Sequence, residues 1–125
     1  MKYYLSIGSN INPESNINFA ISKLEKIFSK SEQSTKHQTK PEGFEGDDFI
    51  NLVYCGNCEL TFNDLNDQLK RIEDLSGRDR NVPKFSSRTL DIDIILQLDD
   101  AGKIIFKSNE IAKYNFVSEP LNELI

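Results

Sequence analysis

Ser87-Arg88-Thr89-Leu90-Asp91-Ile92-Asp93-Ile94-Ile95-Leu96 reads as a buried strand with two carboxylates on one side. Side chains alternate across a strand with period two, so Asp91 and Asp93 share a face while Ile92, Ile94 and Leu96 are expected on the other, in the core. A lone buried aspartate is costly. Two held close together, with Arg88 just ahead of them, suit one or two hard cations carrying a polyphosphate. The plainer alternative is a pair of solvent-facing positions on a half-exposed edge strand.

The residues upstream bear on that choice. Gly77 to Arg88 carries four cations, Arg78, Arg80, Lys84 and Arg88, against the single anion Asp79, in a chain whose net charge is −5. A basic loop punctuated by glycine and proline, leading into a carboxylate-bearing strand, supplies what a magnesium-bound triphosphate needs: guanidinium forks for bidentate phosphate contacts, and fixed oxygens for the metal.

Outward from this strand the hydrophobic periods switch between two and 3.6. Tyr3 to Ile7 is strand-like and ends at the turn cluster Gly8-Ser9-Asn10. Asn12-Pro13-Glu14 predicts an N-cap and a proline at the first helical position, and Ile17, Ala20, Ile21, Leu24, Ile27 and Phe28 follow at helical spacing over about four turns. Gln33 to Thr39 is polar and weakly strand-like. A loop with Pro41, Gly43 and Gly46 then carries Phe44, and Asp48 to Cys55 alternates as a strand. Thr61-x-x-Asp64 starts a second helix with the apolar stripe Phe62, Leu65, Leu69 and Ile72, and Gly77 is its expected stop. The succession predicts an α+β domain over residues 1–125, a ferredoxin-like split βαββαβ with a mostly antiparallel sheet and two helices on one face. Beyond Asp99, Lys103 to Phe106 reads as a further strand, and the tail from Asn115 as a turn or short helix covering the core.

Composition narrows the function classes. With 125 residues, 38% apolar and 28% charged, the chain has enough core for one globular domain. No apolar run approaches membrane-spanning length and a strand pattern begins almost at Met1, so neither a signal peptide nor a membrane segment is expected, and a cytoplasmic monomer is. A sequence pI near 4.9 argues against a nucleic-acid surface while leaving room for a small anionic ligand. Cys55-Gly56-Asn57-Cys58 has redox or zinc spacing. With no second cysteine pair, one histidine and no tryptophan, it is expected to be a reduced pair at a strand-to-helix turn. His37 has no acidic or cysteine partner at ligand spacing and is expected at the surface.

A ferredoxin-like fold does not name an activity. The motifs go further. Ile7-Gly8-Ser9-Asn10, Phe49-Ile50-Asn51, Arg71-Ile72-Glu73, Gly77-Arg78-Asp79-Arg80, Ser87 to Asp93 and Glu119-Pro120-Leu121-Asn122-Glu123 together resemble, in order along the chain, the 6-hydroxymethyl-7,8-dihydropterin pyrophosphokinase family, in a short or divergent form. The resemblance implies transfer of a diphosphate group from ATP to the pterin hydroxymethyl oxygen, releasing AMP, in folate biosynthesis. It implies Asp91 and Asp93 as holders of two magnesium ions, Arg78 and Arg88 as catalytic phosphate grips, and Arg80 and Lys84 near the nucleotide. Glu73 matches an acidic position near the nucleotide; a structural ion pair with a loop arginine reads equally well. On the pterin side the resemblance implies Phe49, Asn51 and Phe116, bordered by Thr39 and Phe44, with Phe85 where the family often has tryptophan. The i, i+2 spacing of Phe49 and Asn51 puts both on one strand face, one to stack and the other to hydrogen-bond. Phe106 to Asn115 lacks the histidine and arginine that the family usually carries there, leaving Lys107 and Lys113 as substitutes. A non-catalytic relative that binds nucleotide or pterin is the alternative.

Overall fold

β1 (Lys2–Ser9) lies between β4 (Phe49–Asn57) and β5 (Asp91–Leu98), antiparallel to both. The structure, a computed structural model, describes residues 1–82 and 87–125. In chain order the remaining elements are α1 (Pro13–Leu24), β2 (Ser29–Gln33), β3 (His37–Thr39), α2 (Phe62–Leu75), β6 (Ile104–Lys107), α3 (Glu110–Lys113) and α4 (Asn115–Asn122). The sheet order is β2-β4-β1-β5-β6, with β3 also pairing with β4, and every pairing is antiparallel. This is the expected α+β architecture with its second strand in two pieces, β2 and β3.

Tyr3, Leu5 and Ile7 alternate onto one face, where Leu52, Tyr54, Ile92 and Ile94 join them in a core with Ile17, Ala20 and Leu24 of α1 and Leu65, Leu69 and Ile72 of α2. Each leucine or isoleucine among them, fully buried, contributes about 1.5 to 3 kcal/mol. The opposite face is covered too, which the expectation of helices on one face did not include. Tyr4, Val53, Cys55, Ile95 and Leu96 pack there against Val117 and Leu121 of α4. Leu96 therefore belongs to the α4 side and not with Ile92 and Ile94. The cause is a β-bulge: Tyr4 pairs with Leu96 and Leu5 with Ile94, so Ile95 is an extra residue and the alternation reverses beyond it.

The helix ends follow local chemistry. Thr61 Oγ1 accepts the Asp64 N–H at 3.2 Å, and Gly77, at φ 87°, takes the left-handed conformation that ends α2. Asn12 precedes Pro13 as expected but its side chain makes no cap hydrogen bond; at φ 44° it turns the chain instead. α1 stops at Leu24, short of Phe28, where the chain tightens: the Lys26 and Ile27 N–H groups turn to carbonyls three residues back, at 3.2 and 2.9 Å. Phe28 is still buried against Tyr3 and Tyr54. Cys55 and Cys58 are free and buried in the cores on opposite faces of the sheet, and burial pushes the Cys55 thiol up, away from thiolate chemistry. Among the described residues no helix is long and apolar enough to cross a membrane.

Candidate functional site

α4 covers only part of its face of the sheet. Beyond it, Ser6 and Gly8 of β1, Phe49 and Asn51 of β4, and Asp91 and Asp93 of β5 line a cleft of about 420 Å³. Strand register explains their convergence. Gly8 pairs with Asn51 on one side and Asp91 on the other, and Ser6 pairs with Asp93. The two short motifs thus meet across a glycine. A β-carbon there would stand 2.7 Å from Asn51 Oδ1, so only glycine leaves the asparagine its position.

One end of the cleft is aromatic and polar. Asn51, 5% exposed, donates from Nδ2 to Thr39 Oγ1 at 2.6 Å. Thr39 pairs with Phe49, whose ring meets Phe44 edge to face at 6.3 Å. Phe116, at the start of α4, stacks on Tyr114 at 4.8 Å. Of the six residues read from the sequence for this end, Thr39, Phe44, Phe49, Asn51 and Phe116 line the cleft, and the sixth, Phe85, lies outside the described residues. An aromatic from the sheet and another from α4, with a buried amide beside them, suit a flat heterocycle with hydrogen-bonding edges.

The other end is charged. Arg78 Nη1 donates to Asp91 Oδ1 at 3.0 Å, and Arg88 Nη1 to Asp91 Oδ2 at 3.1 Å. Burial, followed by the Asp91 charge, pushes the Asp93 carboxyl up to about 7; Glu110 and Glu73 add to the shift and Lys70 opposes it. The Arg88 backbone is held by Asn10, whose Oδ1 accepts the Arg88 N–H at 2.8 Å and whose own N–H donates to the Arg88 carbonyl at 3.1 Å. Asn10 Nδ2 also donates to the Asp47 carbonyl at 3.0 Å and to Ser87 Oγ at 3.2 Å, so one buried amide joins three loops at the cleft.

Glu73 makes the ion pairs of the structural alternative. It is 0% exposed, accepts the Ile92 N–H at 2.7 Å, and pairs with Arg78 at 3.0 Å and Arg80 at 2.9 Å. Arg80 also reaches Asp74 at 3.0 Å, and the hydrogen bond to Glu73 raises its pKa further. Neither Glu73 nor Arg80 lines the cleft; both stand behind Arg78. Lys84 and Phe85 lie outside the described residues. Ser6, Lys40, Lys70, Glu110, Lys113 and Tyr114 line the cleft without having been read from the sequence as site residues, although Lys113 was marked as a substitute cation. Lys107, its counterpart, is on β6 and not in the lining. His37 has no acidic partner at ligand spacing in the sequence; in the fold its Nε2 meets Glu123, 86 residues away.

The donor set fits magnesium. Among the described residues no group of three carboxylate, histidine or cysteine side chains converges as a cage. Magnesium does not need one, because it keeps several waters and is held by one or two carboxylates together with phosphate oxygens. Asp91 and Asp93, on one strand face beside two guanidinium groups, match that pattern.

Comparison with known proteins gives a concordant picture. The family model described as 7,8-dihydro-6-hydroxymethylpterin-pyrophosphokinase matches residues 4–125. A curated relative, the 2-amino-4-hydroxy-6-hydroxymethyldihydropteridine pyrophosphokinase of Haemophilus influenzae, is 29% identical over an aligned length of 128, gaps included, and the alignment covers 97% of this chain and 79% of that protein.

Proposed function

The chain belongs to the 7,8-dihydro-6-hydroxymethylpterin-pyrophosphokinase family, and from that premise we propose that its cleft transfers the diphosphate group of ATP to the hydroxymethyl oxygen of 6-hydroxymethyl-7,8-dihydropterin, releasing AMP. A pterin pyrophosphokinase role in folate synthesis is what family and relative support together. The observation that carries the finer reading is the pairing of Gly8 with both Asn51 and Asp91, which sets a ring-binding end beside a carboxylate end in one cleft.

In this reading the pterin ring lies between Phe49 and Phe116, with Asn51 hydrogen-bonding its polar edge. Thr39 takes one of the two amide protons of Asn51, which fixes the side chain's orientation and leaves Oδ1 and the second proton for the ligand. The hydroxymethyl group then points toward Asp91 and Asp93. Asp91 and Asp93 would hold the two magnesium ions, which supply charge neutralisation at the phosphates and acidify the attacking hydroxyl. Arg78 and Arg88, already within reach of Asp91, turn their forks to the phosphate chain and match the charge that develops as the β-phosphorus changes partners. No covalent intermediate is required: positioning and electrostatics carry the rate. The substrates are small molecules, and the enzyme acts as a cytoplasmic monomer.

The test is AMP formation from ATP and magnesium. Turnover that depends on the hydroxymethyl pterin supports the reading. ATP and pterin binding without any pterin-dependent AMP would replace it with that of a non-catalytic binding module.

A further inference from the structure

The outer wall at the aromatic end depends on a contact far from the charged residues. β3 is three residues long and, among the described residues, pairs with β4 alone. Short strands held on one side open readily. Yet Thr39 of β3 is the group that orients Asn51. Just ahead of β3, the Thr35 N–H donates to Glu123 Oε1 at 2.8 Å, Thr35 Oγ1 lies 3.0 and 2.8 Å from the two carboxylate oxygens, and His37 Nε2 donates to Oε2. Glu123 follows directly on α4, the helix that carries Phe116 and Val117 into the cleft. One carboxylate therefore ties together the two elements that supply Thr39 and Phe116.

Its position is otherwise unfavourable. A negative charge at a helix C-terminus faces the negative end of the helix dipole. The contacts to Thr35 and His37 offset that placement. The Thr35 backbone N–H foremost, followed by the hydrogen bond from His37, draws the Glu123 carboxyl down to about 2, so it stays ionised at neutral pH.

We infer that Glu123 is a positioning residue for pterin binding: by clasping Thr35 and His37 to the end of α4, it holds β3 so that Thr39 orients Asn51 opposite Phe116. The inference rests on the reading of the aromatic end as the pterin site, and it separates that end from the nucleotide end. Loss of the clasp acts on the ring and leaves the phosphate grips, Arg78 just beyond the end of α2 and Arg88 just ahead of β5, as they were.

The experiment compares the full chain with Glu123→Ala, Glu123→Gln and Thr35→Val. Pterin affinity is followed by fluorescence titration, Mg-ATP affinity by calorimetry, and the Asn51 side-chain amide by NMR in the ligand-free protein. Glu123→Ala is expected to weaken pterin binding about three- to tenfold, leave Mg-ATP binding within about twofold, and shift the Asn51 amide signals. Glu123→Gln, which keeps an acceptor for Thr35, should recover most of the loss, and Thr35→Val, which loses the hydroxyl but keeps the backbone N–H and the His37 contact, should fall between wild type and the alanine variant. An Asn51 amide that shifts with Glu123→Ala in a chain that binds no pterin sustains the clasp and rejects the assigned ligand. An unmoved Asn51 amide, or pterin and ATP affinities that fall together with melting temperature, overturns the inference.

Discussion

Arg78 Nη1 stands 3.0 Å from Asp91 Oδ1, and the other oxygen of that carboxylate receives Arg88 at 3.1 Å. The two aspartates of the site are therefore electrostatically unequal. Asp91 has two guanidinium partners, whereas Asp93 is dominated by burial and by the negative charge of Asp91.

Asp91→Asn and Asp93→Asn are each expected to lower turnover by on the order of 10³-fold, since each removes a hard anionic oxygen while keeping side-chain volume. Their effects on stability should differ in sign. The folded pKa of Asp93, near 7, lies above its ordinary 3.8, so the folded state keeps a proton that the unfolded chain gives up. The resulting penalty grows as pH rises from about 4 and is complete above about 7. In metal-free protein Asp93→Asn should raise the melting temperature at pH 8 and have little effect at pH 4, while Asp91→Asn lowers it by leaving Arg78 and Arg88 short of a partner. Thermal unfolding at the two pH values checks this. Equal shifts for both variants would contradict the inequality.

The two ends of the cleft can be separated by substitution. Arg88→Ala should cut the rate by about 10² or more with little change in pterin affinity, because in the proposed reading its fork serves the phosphate chain. Phe49→Ala should weaken pterin binding, by about tenfold, more than it slows the bound complex. Calorimetry with a non-hydrolysable ATP analogue present measures both. Similar losses of pterin affinity in the two variants would mean that the ends are wrongly assigned.

Much of this was legible in the sequence because its signals are local. Period-two and period-3.6 patterns gave β1, β4, β5, α1 and α2, and the i, i+2 pairs Phe49/Asn51 and Asp91/Asp93 carried their shared faces with them. What the sequence hid is non-local. Gly8 looked like turn punctuation, and its role emerges only when β4 and β5 pair on either side of it. The bulge at Ile95, which moves Leu96 to the α4 side, has no marker in a run of aliphatic residues. Asn10 and Glu123 bond to groups 37 to 88 residues away, beyond the reach of any spacing rule. Glu73 was readable as acidic but not as the buried hub it is, since burial of a charge depends on the arginines that the fold brings to it.

That hub carries its own prediction. Glu73→Gln keeps an acceptor for the Ile92 N–H but removes the charge facing Arg78 and Arg80, which leaves two partly buried guanidinium groups undercompensated. A loss of about 3 kcal/mol in unfolding free energy is expected. Because Arg78 also loses an anchor, turnover should fall while pterin affinity holds. Urea unfolding measures the first effect, and a stability within about 0.5 kcal/mol of wild type would show that the hub is dispensable.

Lys113 is the last cation to account for. Of the two lysines in the stretch ahead of Phe116, Lys113 lines the cleft with its Nζ 5.3 Å from the Tyr114 ring centre, and Lys107 does not line it. An ammonium lining the cleft can provide a charge-assisted contact worth about 1.5 to 3 kcal/mol once desolvated against a nucleotide. Lys113→Ala should therefore weaken Mg-ATP binding by about tenfold or more, with pterin affinity unchanged, and Lys107→Ala should do nothing measurable. The contrast matters because both variants remove one positive charge, so a general electrostatic effect would lower ATP affinity in both. Titration of Mg-ATP at two ionic strengths sharpens the distinction: the Lys107 difference, if any, should vanish with salt, and the Lys113 difference should persist because it reports a contact at short range. Tight ATP binding that is indifferent to Lys113 would leave the nucleotide to the other cations of the cleft, Arg78, Arg88, Lys40 and Lys70.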